Sequence, residues 1–196
     1  LANCGVVALD YLGEKGIATS IGHAPAIALI DAAAGSRISI AEALTNIIWA
    51  PIENGLSAIS LSANWMWPCN NPGEDERLYS AVEACAAFAI SLGVNIPTGK
   101  DSLSMKQKYS DKEVLAPGTV IISASAHCSD IKSVVRPMAR PNKGKLYYIP
   151  MSDQNCQLGG TAYAQLKNCV GNQAADVSDA EQFKVNFDAI QELVKK

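Results

Sequence analysis

The residue types best suited to chemistry lie in one polar stretch, NIPTGKDSLSMK, at residues 95–106. Gly99 permits close approach of the backbone to a ligand, and Lys100 can meet a phosphate as a point charge. Asp101 can hold a metal ion or a hydroxyl group, and Ser102 supplies a hydroxyl donor. The stretch therefore predicts a phosphate-handling loop. The alternative is a hydrophilic hairpin loop that binds nothing.

This stretch departs from the P-loop motif in two ways. The motif requires a glycine, four further residues, and then Gly-Lys-Ser/Thr. Here five residues separate Gly93 from Gly99, and Asp101 follows Lys100 where the motif places a metal-binding hydroxyl. Both departures argue against Walker-type chemistry.

A second candidate lies in AEALTN, where Glu42 and Asn46 are four residues apart. That spacing puts both side chains on one face of a helix, and Ser39 and Trp49 extend the same face. A carboxylate and an amide oxygen one turn apart suit a hard cation such as Mg²⁺, which also takes phosphate oxygens and water. The alternative is a solvated polar face with a local hydrogen bond.

A third candidate is the sequence NWMW at residues 64–67. Two tryptophans that flank a methionine could stack on a purine, but such clusters more often belong to a core or an interface. Asn64 stands at the end of a predicted strand, where open sheets tend to place functional groups. His23 and His127 are isolated in the sequence, and we interpret both as structural.

The elements that must position these residues alternate between strands and helices. Strands are predicted at 4–11, 16–21, 58–63, 105–109, 119–127 and 145–150. Helices are predicted at 25–33, 37–49, 74–92 and 179–195, with a short helix that begins near residue 159. Ser36 is the predicted cap of the second helix, and Gly93 ends the third.

Apolar residues recur at helical spacing in three of these helices and are predicted to face the core. They are Ile40, Leu44, Ile47, Ile48, Leu78, Val82, Cys85, Ala89, Leu92, Phe183, Phe187, Ile190 and Val194.

Element order and composition indicate an α+β fold in two parts. Residues 1–130 hold most of the strands and helices, and residues 131–144 are interpreted as a linker rich in proline and cations. Residues 145–196 hold only a strand and two helices, too little to bury their own apolar faces. We interpret this last part as the beginning of a domain whose remainder is absent.

Composition excludes several function classes. The 196 residues are 48% hydrophobic, which allows a sizeable core, and a net charge of −3 with a pI near 5.4 argues against a dedicated nucleic-acid binder. The apolar runs are too short to span a membrane.

Six cysteines without a CxxC motif and only two histidines argue against a zinc site. We therefore expect reduced thiols in a cytoplasmic protein. The start LANCGVVALD has neither an initiator Met nor a basic signal-peptide region, which predicts a tag remnant, a processed protein or an excised piece.

Five segments carry a resemblance beyond these physical arguments. In chain order they are GIATSIGHAPAIALIDAAAGSRISIAEALTN, LSANWMWPCNNPGEDERLYSAVEA, IPTGKDSLSMK, APGTVIISA and LGGTAYAQ. With them the chain resembles, over nearly its whole length, the large glutamine-dependent form of phosphoribosylformylglycinamidine synthase. NWMWP and GKDSLSM argue against selenophosphate synthetases and thiamine-phosphate kinases of the same superfamily.

The resemblance implies an ATP-dependent ligase of de novo purine synthesis. That family converts formylglycinamide ribonucleotide, ATP and glutamine to the amidine, with release of ADP, phosphate and glutamate. Its full chain carries two related halves of the aminoimidazole-ribonucleotide-synthetase type and a C-terminal glutaminase. This chain is similar to the middle of the second half: an N-terminal α/β domain with helices on one side of its sheet, then the start of the C-terminal domain. The implied partners are the first half and the glutaminase of the same polypeptide and small nucleotides, with no nucleic acid and no membrane.

The resemblance also implies a second nucleotide pocket. Glu42 and Asn46 fall on positions that bind Mg²⁺ beside a tightly held ATP or ADP regarded as structural. Ala2 and Asn3 fall on an Ala-Asp pair of the same pocket, in which the aspartate is a metal ligand. Asn3 still offers an oxygen but removes one negative charge, so metal affinity should weaken.

The resemblance assigns residues 99–102 to one wall of the amidotransfer site. Related enzymes carry Gly-Asn-x-Ser there, with the glycine by ATP, the asparagine on Mg²⁺ and the serine on the ribonucleotide. Gly99 and Ser102 match this pattern. Lys100 replaces the asparagine, which implies a direct phosphate contact, and Asp101 is taken as a further substrate contact. Asn64 matches an aspartate near ATP.

Two further expectations follow from the family's architecture. Its members pair the sheets of their N-terminal domains into a barrel, so the isolated chain is expected to self-associate through the strands near residues 4, 58 and 119. The isolated chain is also expected to have no synthase activity. The competing hypothesis is a non-catalytic, nucleotide-stabilised scaffold or interface module.

Overall fold

One mixed sheet organises the fold. The computed structural model describes residues 3–139, 141, 144–153 and 155–196. Five strands lie in the order β1 (Cys4–Ala8), β2 (Gly16–His23), β7 (Thr119–Cys128), β3 (Ser60–Met66) and β4 (Asn95–Ser102). Strands β3 and β4 are parallel and the other neighbouring pairs are antiparallel, so β2, β3 and β4 run in one direction. A separate hairpin pairs β5 (Lys106–Lys108) with β6 (Glu113–Leu115).

The helices leave one face of the sheet open. They are α1 (Pro25–Ile30), α2 (Ala32–Ile47), α3 (Glu74–Leu92), α4 (Ala162–Leu166) and α5 (Ala180–Val194), with short 3-10 helices at Leu56–Ala58 and Ile131–Ser133. Helix α2 packs on β2 and β7, and α3 packs beside α2. This arrangement of a mixed sheet with its helices on one side confirms the predicted α+β class.

The core lies between the sheet and these helices. Ile40, Leu44 and Ile47 of α2 are fully buried against Leu61 and Ile122 of the sheet, as their spacing predicts. On α3 the prediction is wrong at Val82, which is 42% exposed. Ala81 and Phe88 are buried in its place, because the buried stripe of the helix is rotated by one residue.

The boundaries of α3 and α2 differ in how well the sequence predicts them. Helix α3 spans 74–92 as predicted and ends at Gly93, whose φ of 74° is left-handed. The predicted cap of α2 at Ser36 is wrong, since the helix begins five residues earlier, where the Asp31 side chain accepts a hydrogen bond from Ala34 N–H. Ser36 lies inside the helix and its hydroxyl donates to the Ala32 and Ala81 carbonyls, so it joins α2 to α3.

The prediction of a loop at GKDS is wrong. Residues 95–102 form the edge strand β4, and the strand predicted at 105–109 is reduced to the short β5. Strand β4 lies at the edge of the sheet and most of its residues are exposed. Its sequence therefore lacks the apolar alternation of a half-buried strand and resembles a polar loop.

The open face of the sheet carries mostly small, polar side chains. Strand β7 shows the cause, since Val120, Ile122 and Ala124 face the helices while Ser123 and Ser125 alternate to the other side. A shallow depression of about 700 Å³ on this face is lined by hydroxyl side chains of four strands. They are Thr19, Ser60, Ser62, Thr98, Ser123 and Ser125.

The C-terminal segment packs on the same core. Helix α5 buries Phe183, Phe187, Ile190 and Val194 as predicted, and Phe183 meets Phe88 of α3 edge-on at 6.2 Å between ring centroids. The strand predicted at 145–150 is wrong, since these residues pair with no strand in the described chain. The short helix predicted near residue 159 is α4, which Thr161 caps. The domain boundaries at 130 and 144 stay predictions.

Two polar contacts hold this segment to α2 and to the residues that follow it. The Gln191 amide, 3% exposed, donates to the Ile48 and Ala50 carbonyls and accepts from Ile52 N–H, at 2.6, 2.9 and 2.8 Å. Arg37 forms a bidentate pair with Asp176 at 2.9 and 2.6 Å, and this carboxylate raises the pKa of the guanidinium. None of the described helices has both the length and the apolar character needed to cross a bilayer.

Candidate functional site

The candidate residues gather at one end of the sheet. Because β2, β3 and β4 run in the same direction, their carboxyl ends share an edge, where open sheets tend to bind ligands. The pairing register places His23, Ile121, Asn64 and Lys100 in one row across β2, β7, β3 and β4. Three strand spacings of about 4.8 Å put His23 roughly 14 Å from Lys100.

Lys100 and Ser102 form a local pair on β4. Being two residues apart, they lie on the same side of the strand, and Lys100 Nζ donates to Ser102 Oγ at 2.5 Å. Among the described residues no carboxylate lies within 4.0 Å of this ammonium group. An exposed cation that is unpaired and backed by a hydroxyl group suits a phosphate ligand.

Asn64 contributes an unsatisfied acceptor beside this pair. Its Oδ1 atom is buried and has no hydrogen-bond partner within the described chain. A buried polar atom left unpaired costs about 1–3 kcal/mol. Asn64 is the register partner of Lys100, so a ligand at this end of the sheet could relieve that cost by donating a hydrogen bond.

Gly99 allows the two parallel strands to meet closely. A Cβ atom at this position would overlap the Ala63 carbonyl oxygen of β3. The glycine is therefore required by strand packing as well as by any ligand that approaches the backbone.

Asp101 does not join this group. Strand alternation turns its side chain to the face opposite Lys100 and Ser102, and it pairs in register with Trp65. On that side Asp101 lies near Cys69, whose thiol pKa is raised first by burial, then by a hydrogen bond with Asp75 and by the negative charge of Asp75, Glu74 and Asp101.

Glu42 and Asn46 bind the end of β2. Glu42 Oε2 accepts from His23 N–H at 2.6 Å and lies 4.0 Å from His23 Nδ1. Asn46 Nδ2 donates to the Ile21 carbonyl at 2.9 Å. Both predicted ligands thus share one face of α2, but each already has a backbone partner. Ser39 does not extend that face, because it is 1% exposed and its hydroxyl donates to Gly35.

Asn3 lies at the same end of the sheet. Cys4 pairs with Ser20, so Asn3 stands opposite Ile21, whose carbonyl accepts from Asn46. Ala2, the other residue predicted for this pocket, lies outside the described residues.

The oxygens of Glu42, Asn46 and Asn3 suit Mg²⁺ only if a phosphate ligand also binds the ion. Within the described residues, Glu42 Oε1 and the amide oxygens of Asn46 and Asn3 have no hydrogen-bond partner, and only one of these three groups is charged. Mg²⁺ commonly takes one or two carboxylates together with substrate phosphates and water. In the described ranges no three His, Cys, Asp or Glu side chains come together as a metal site.

The tryptophan cluster is mainly core. Trp67 is 1% exposed and packs with Ala32 and Ala81, and the Trp65 ring centroid lies 6.5 Å from that of Trp67. The alternative that the cluster is core therefore holds for Trp67, whose ring is not available to stack on a purine.

His23 is the neighbour that sequence reasoning missed. The sequence predicts an isolated structural histidine, yet the His23 backbone N–H donates to Glu42 and His23 occupies the same sheet row as Asn64 and Lys100. The alternation of β2 does predict that His23 faces away from the core. Its approach to Glu42 depends on how α2 packs across the strand end, which no local pattern gives.

Comparison with known proteins gives a family match and a set of similar folds. A family model described as "FGAR-AT PurM_N-like domain" matches residues 1–127. The structure of T. maritima PurL complexed with FGAR aligns over 99% of this chain and 29% of its own, at 16% identity and a TM-score of 0.65. T. maritima PurL complexed with ATP aligns over 70% and 22%, at 20% identity and a TM-score of 0.53. PurLQS from T. maritima aligns over 69% and 21%, at 20% identity and a TM-score of 0.53. The chain thus spans less than a third of each of these PurL chains.

Proposed function

Because the chain belongs to the FGAR-AT PurM_N-like domain family, we propose that it forms one wall of an ATP-dependent amidotransfer site. In this proposal the complete enzyme converts formylglycinamide ribonucleotide, glutamine and ATP to formylglycinamidine ribonucleotide, glutamate, ADP and phosphate. The observation that carries the proposal is the row at the carboxyl end of the sheet, where the Asn64 acceptor meets the Lys100–Ser102 pair.

The reaction needs transfer of the ATP γ-phosphoryl group to the oxygen of the glycinamide carbonyl, followed by attack of ammonia on that carbon and departure of phosphate. Negative charge develops on the transferring phosphoryl group, and fixed cations and donors lower the barrier by stabilising it. Lys100 would supply such a cation, while Ser102 would orient the ribonucleotide and Asn64 would accept a hydrogen bond from the nucleotide. Gly99 would let the ligand approach the backbone.

A second nucleotide pocket is proposed at Glu42, Asn46 and Asn3. Solved relatives of this fold include PurL complexes with ATP, ADP and AMPPCP, which supports nucleotide binding in the family. Mg²⁺ bound there would neutralise phosphate charge. The residues of this chain would contribute one carboxylate and two amide oxygens, so ADP rather than the protein would supply most of the charge.

The partners proposed for this chain are other parts of the amidotransferase. Within one polypeptide these would be a related first synthetase half and a glutaminase that supplies ammonia. The solved PurLQS assembly from T. maritima supports partners of this kind. The purified 196-residue chain should therefore form no amidine, and amidine formation by it would contradict the proposal.

The test is steady-state kinetics of Lys100→Ala in the full-length polypeptide. Loss of a cation from the developing charge should lower kcat/KM for formylglycinamide ribonucleotide by about 100-fold or more. Lys112→Ala is the matched control, because Lys112 lies over the Tyr109 ring in the β5–β6 hairpin. Values for Lys100→Ala within twofold of wild type would contradict the proposal.

A second candidate function, a nucleotide-stabilised scaffold, is favoured by the backbone contacts of Glu42 and Asn46. Under this hypothesis both residues act by fastening α2 to the end of β2. Loss of turnover at an unchanged Tm in the Lys100 and Ser102 variants supports the catalytic wall. A lowered Tm with normal turnover per folded molecule supports the scaffold.

A further inference from the structure

The turn that follows Ser102 is held by the end of β3. Trp67 N–H donates to the Ser102 carbonyl at 2.9 Å, and the Trp67 carbonyl accepts from Met105 N–H at 3.3 Å. Cys69 N–H donates to the Leu103 carbonyl at 2.9 Å. The backbone of Trp67 therefore makes two of the three bonds that fix where the chain leaves β4, directly after the Lys100–Ser102 pair.

The indole ring of Trp67 is wedged between two neighbours. Gly118, the residue before β7, lies so close that a Cβ atom there would overlap the ring. The Arg77 guanidinium lies over the ring at 5.9 Å, and it is held by Glu74 at 2.8 Å and the Ala28 carbonyl at 2.6 Å. The position of the ring is thus set by backbone on one side and by an anchored cation on the other.

The volume of the indole ring, and not a hydrogen bond from it, explains why residue 67 is a tryptophan. Buried tryptophans usually find an acceptor for the indole N–H, but Trp67 Nε1 has no partner in the part of the chain that the structure describes. Replacement by phenylalanine would therefore lose volume without losing a hydrogen bond. A Cβ at Gly118 would meet Cε2, Cζ2 and Cδ2 along the fused edge of the indole, and the smaller phenylalanine ring can shift away from that contact into the volume that the indole leaves.

We propose that Trp67 is a positioning residue for the ligand-binding end of β4, and that Gly118 keeps the space that lets it act. The proposal rests on the proposed function, because it takes Lys100 and Ser102 as the groups that are positioned. Added bulk at Gly118 must move the indole ring, and the backbone bonds of Trp67 pass that shift to Ser102. Small misplacements of binding groups lower rates by large factors.

The test uses Gly118→Ala, Trp67→Phe and the double variant in the full-length polypeptide. Gly118→Ala should raise KM for formylglycinamide ribonucleotide about 10-fold, lower kcat/KM at least as much, and shift the tryptophan fluorescence. Trp67→Phe alone should stay within about threefold of wild-type kcat/KM, because it keeps the backbone bonds of residue 67, and the double variant should match it, because the smaller ring makes room for the methyl group. A double variant as impaired as Gly118→Ala would overturn the proposal.

Two controls separate the outcomes. Gly35→Ala also overfills a buried site, 2.6 Å from Ala28 Cβ, but it should lower Tm without changing KM. An equal rise in KM with Gly35→Ala would show a general effect of destabilisation and overturn the proposal. If Lys100→Ala lowers kcat/KM and Gly118→Ala does not, only the positioning role fails. If Lys100→Ala has no effect, the proposed function fails and the positioning role with it.

Discussion

The side of β4 that each residue occupies determines its role in the candidate site. The sequence groups Lys100, Asp101 and Ser102 as neighbours, and they were predicted together as substrate contacts. In a strand, successive side chains point to opposite faces, so Asp101 turns toward Cys69 and Asp75. The pattern could have predicted this division only if residues 95–102 had been identified as a strand.

This division makes a prediction for Asp101→Asn in the full-length polypeptide. The substitution should leave KM for formylglycinamide ribonucleotide within twofold, because the side chain lies on the other face of β4. Ser102→Ala, one residue away, should raise that KM about 10-fold through loss of a ligand hydrogen bond. Steady-state kinetics measure both values, and a larger effect for Asp101→Asn than for Ser102→Ala would contradict the assignment.

Cys85 gives a prediction about pH. Burial raises the pKa of this thiol from 9.0 to about 12, because the thiolate would lose its hydration in the core. The neutral thiol is therefore favoured in the folded state, and its contribution to stability is complete below pH 9. As pH rises from 9 toward 12 the unfolded chain loses this proton first, so stability falls, by about 1.4 kcal/mol per unit of pKa difference.

Comparison with Cys85→Ala isolates this effect from the titration of tyrosines and lysines. The free energy of unfolding should fall more steeply between pH 9 and 11 in the wild type than in the variant. Thiol labelling should also modify the exposed Cys169 and leave Cys85 unreacted at pH 9. Equal pH slopes for the two proteins would refute the burial argument.

Among the secondary-structure elements, α5 illustrates how a polar residue can be part of the core. Its apolar stripe is readable from the spacing of four residues, but Gln191 sits on the same side and binds three backbone groups of residues 48–52. These groups follow the end of α2 and would otherwise be buried without partners. Sequence periodicity does not predict such a contact, because the partners lie about 140 residues away.

Gln191→Leu should therefore destabilise the chain strongly. It leaves two carbonyls and one N–H without partners, each at a cost of about 1–3 kcal/mol. Gln182→Leu on the same helix is the matched control, because Gln182 is exposed and its side chain bonds only Asn186 among the described residues. Chemical denaturation should show a loss of about 3 kcal/mol or more for Gln191→Leu and under about 0.5 for Gln182→Leu. Similar losses would contradict the role of Gln191.

The sequence predicts some of these elements correctly and others wrongly, and the difference has a physical cause in each case. Helix α3 was predicted to the residue, because acidic residues open it and a left-handed glycine closes it. The sequence does not predict strand β4, because its side chains are polar and, in the described part of the chain, it pairs with only one strand. The segment 145–150 carries the apolar, aromatic pattern of a strand, but β-propensity alone does not form one without a partner.

At the scale of the whole molecule, the open face of the sheet is the surface most relevant to self-association. It carries hydroxyl groups and a few exposed apolar residues such as Ile21, 58% exposed. The prediction that the isolated chain self-associates through this face remains to be measured.

Light scattering at rising concentration should show a dimer, and Ile21→Lys should shift it to monomer by placing a charge on the paired face. Val185→Lys, at a residue 61% exposed on α5, should leave the dimer intact, and a wild-type monomer at high concentration would contradict the prediction.

The proposed function depends most on one contact, that of Lys100 and Ser102 with a phosphate-bearing ligand at the carboxyl end of the sheet. A crystal structure of the full-length polypeptide with formylglycinamide ribonucleotide and a non-hydrolysable ATP analogue tests it most directly. We expect a phosphate oxygen about 3 Å from Lys100 Nζ and a ligand donor at hydrogen-bond distance from Asn64 Oδ1. Ligands bound elsewhere, with Lys100 still donating to Ser102 and Asn64 Oδ1 still unpaired, would contradict it.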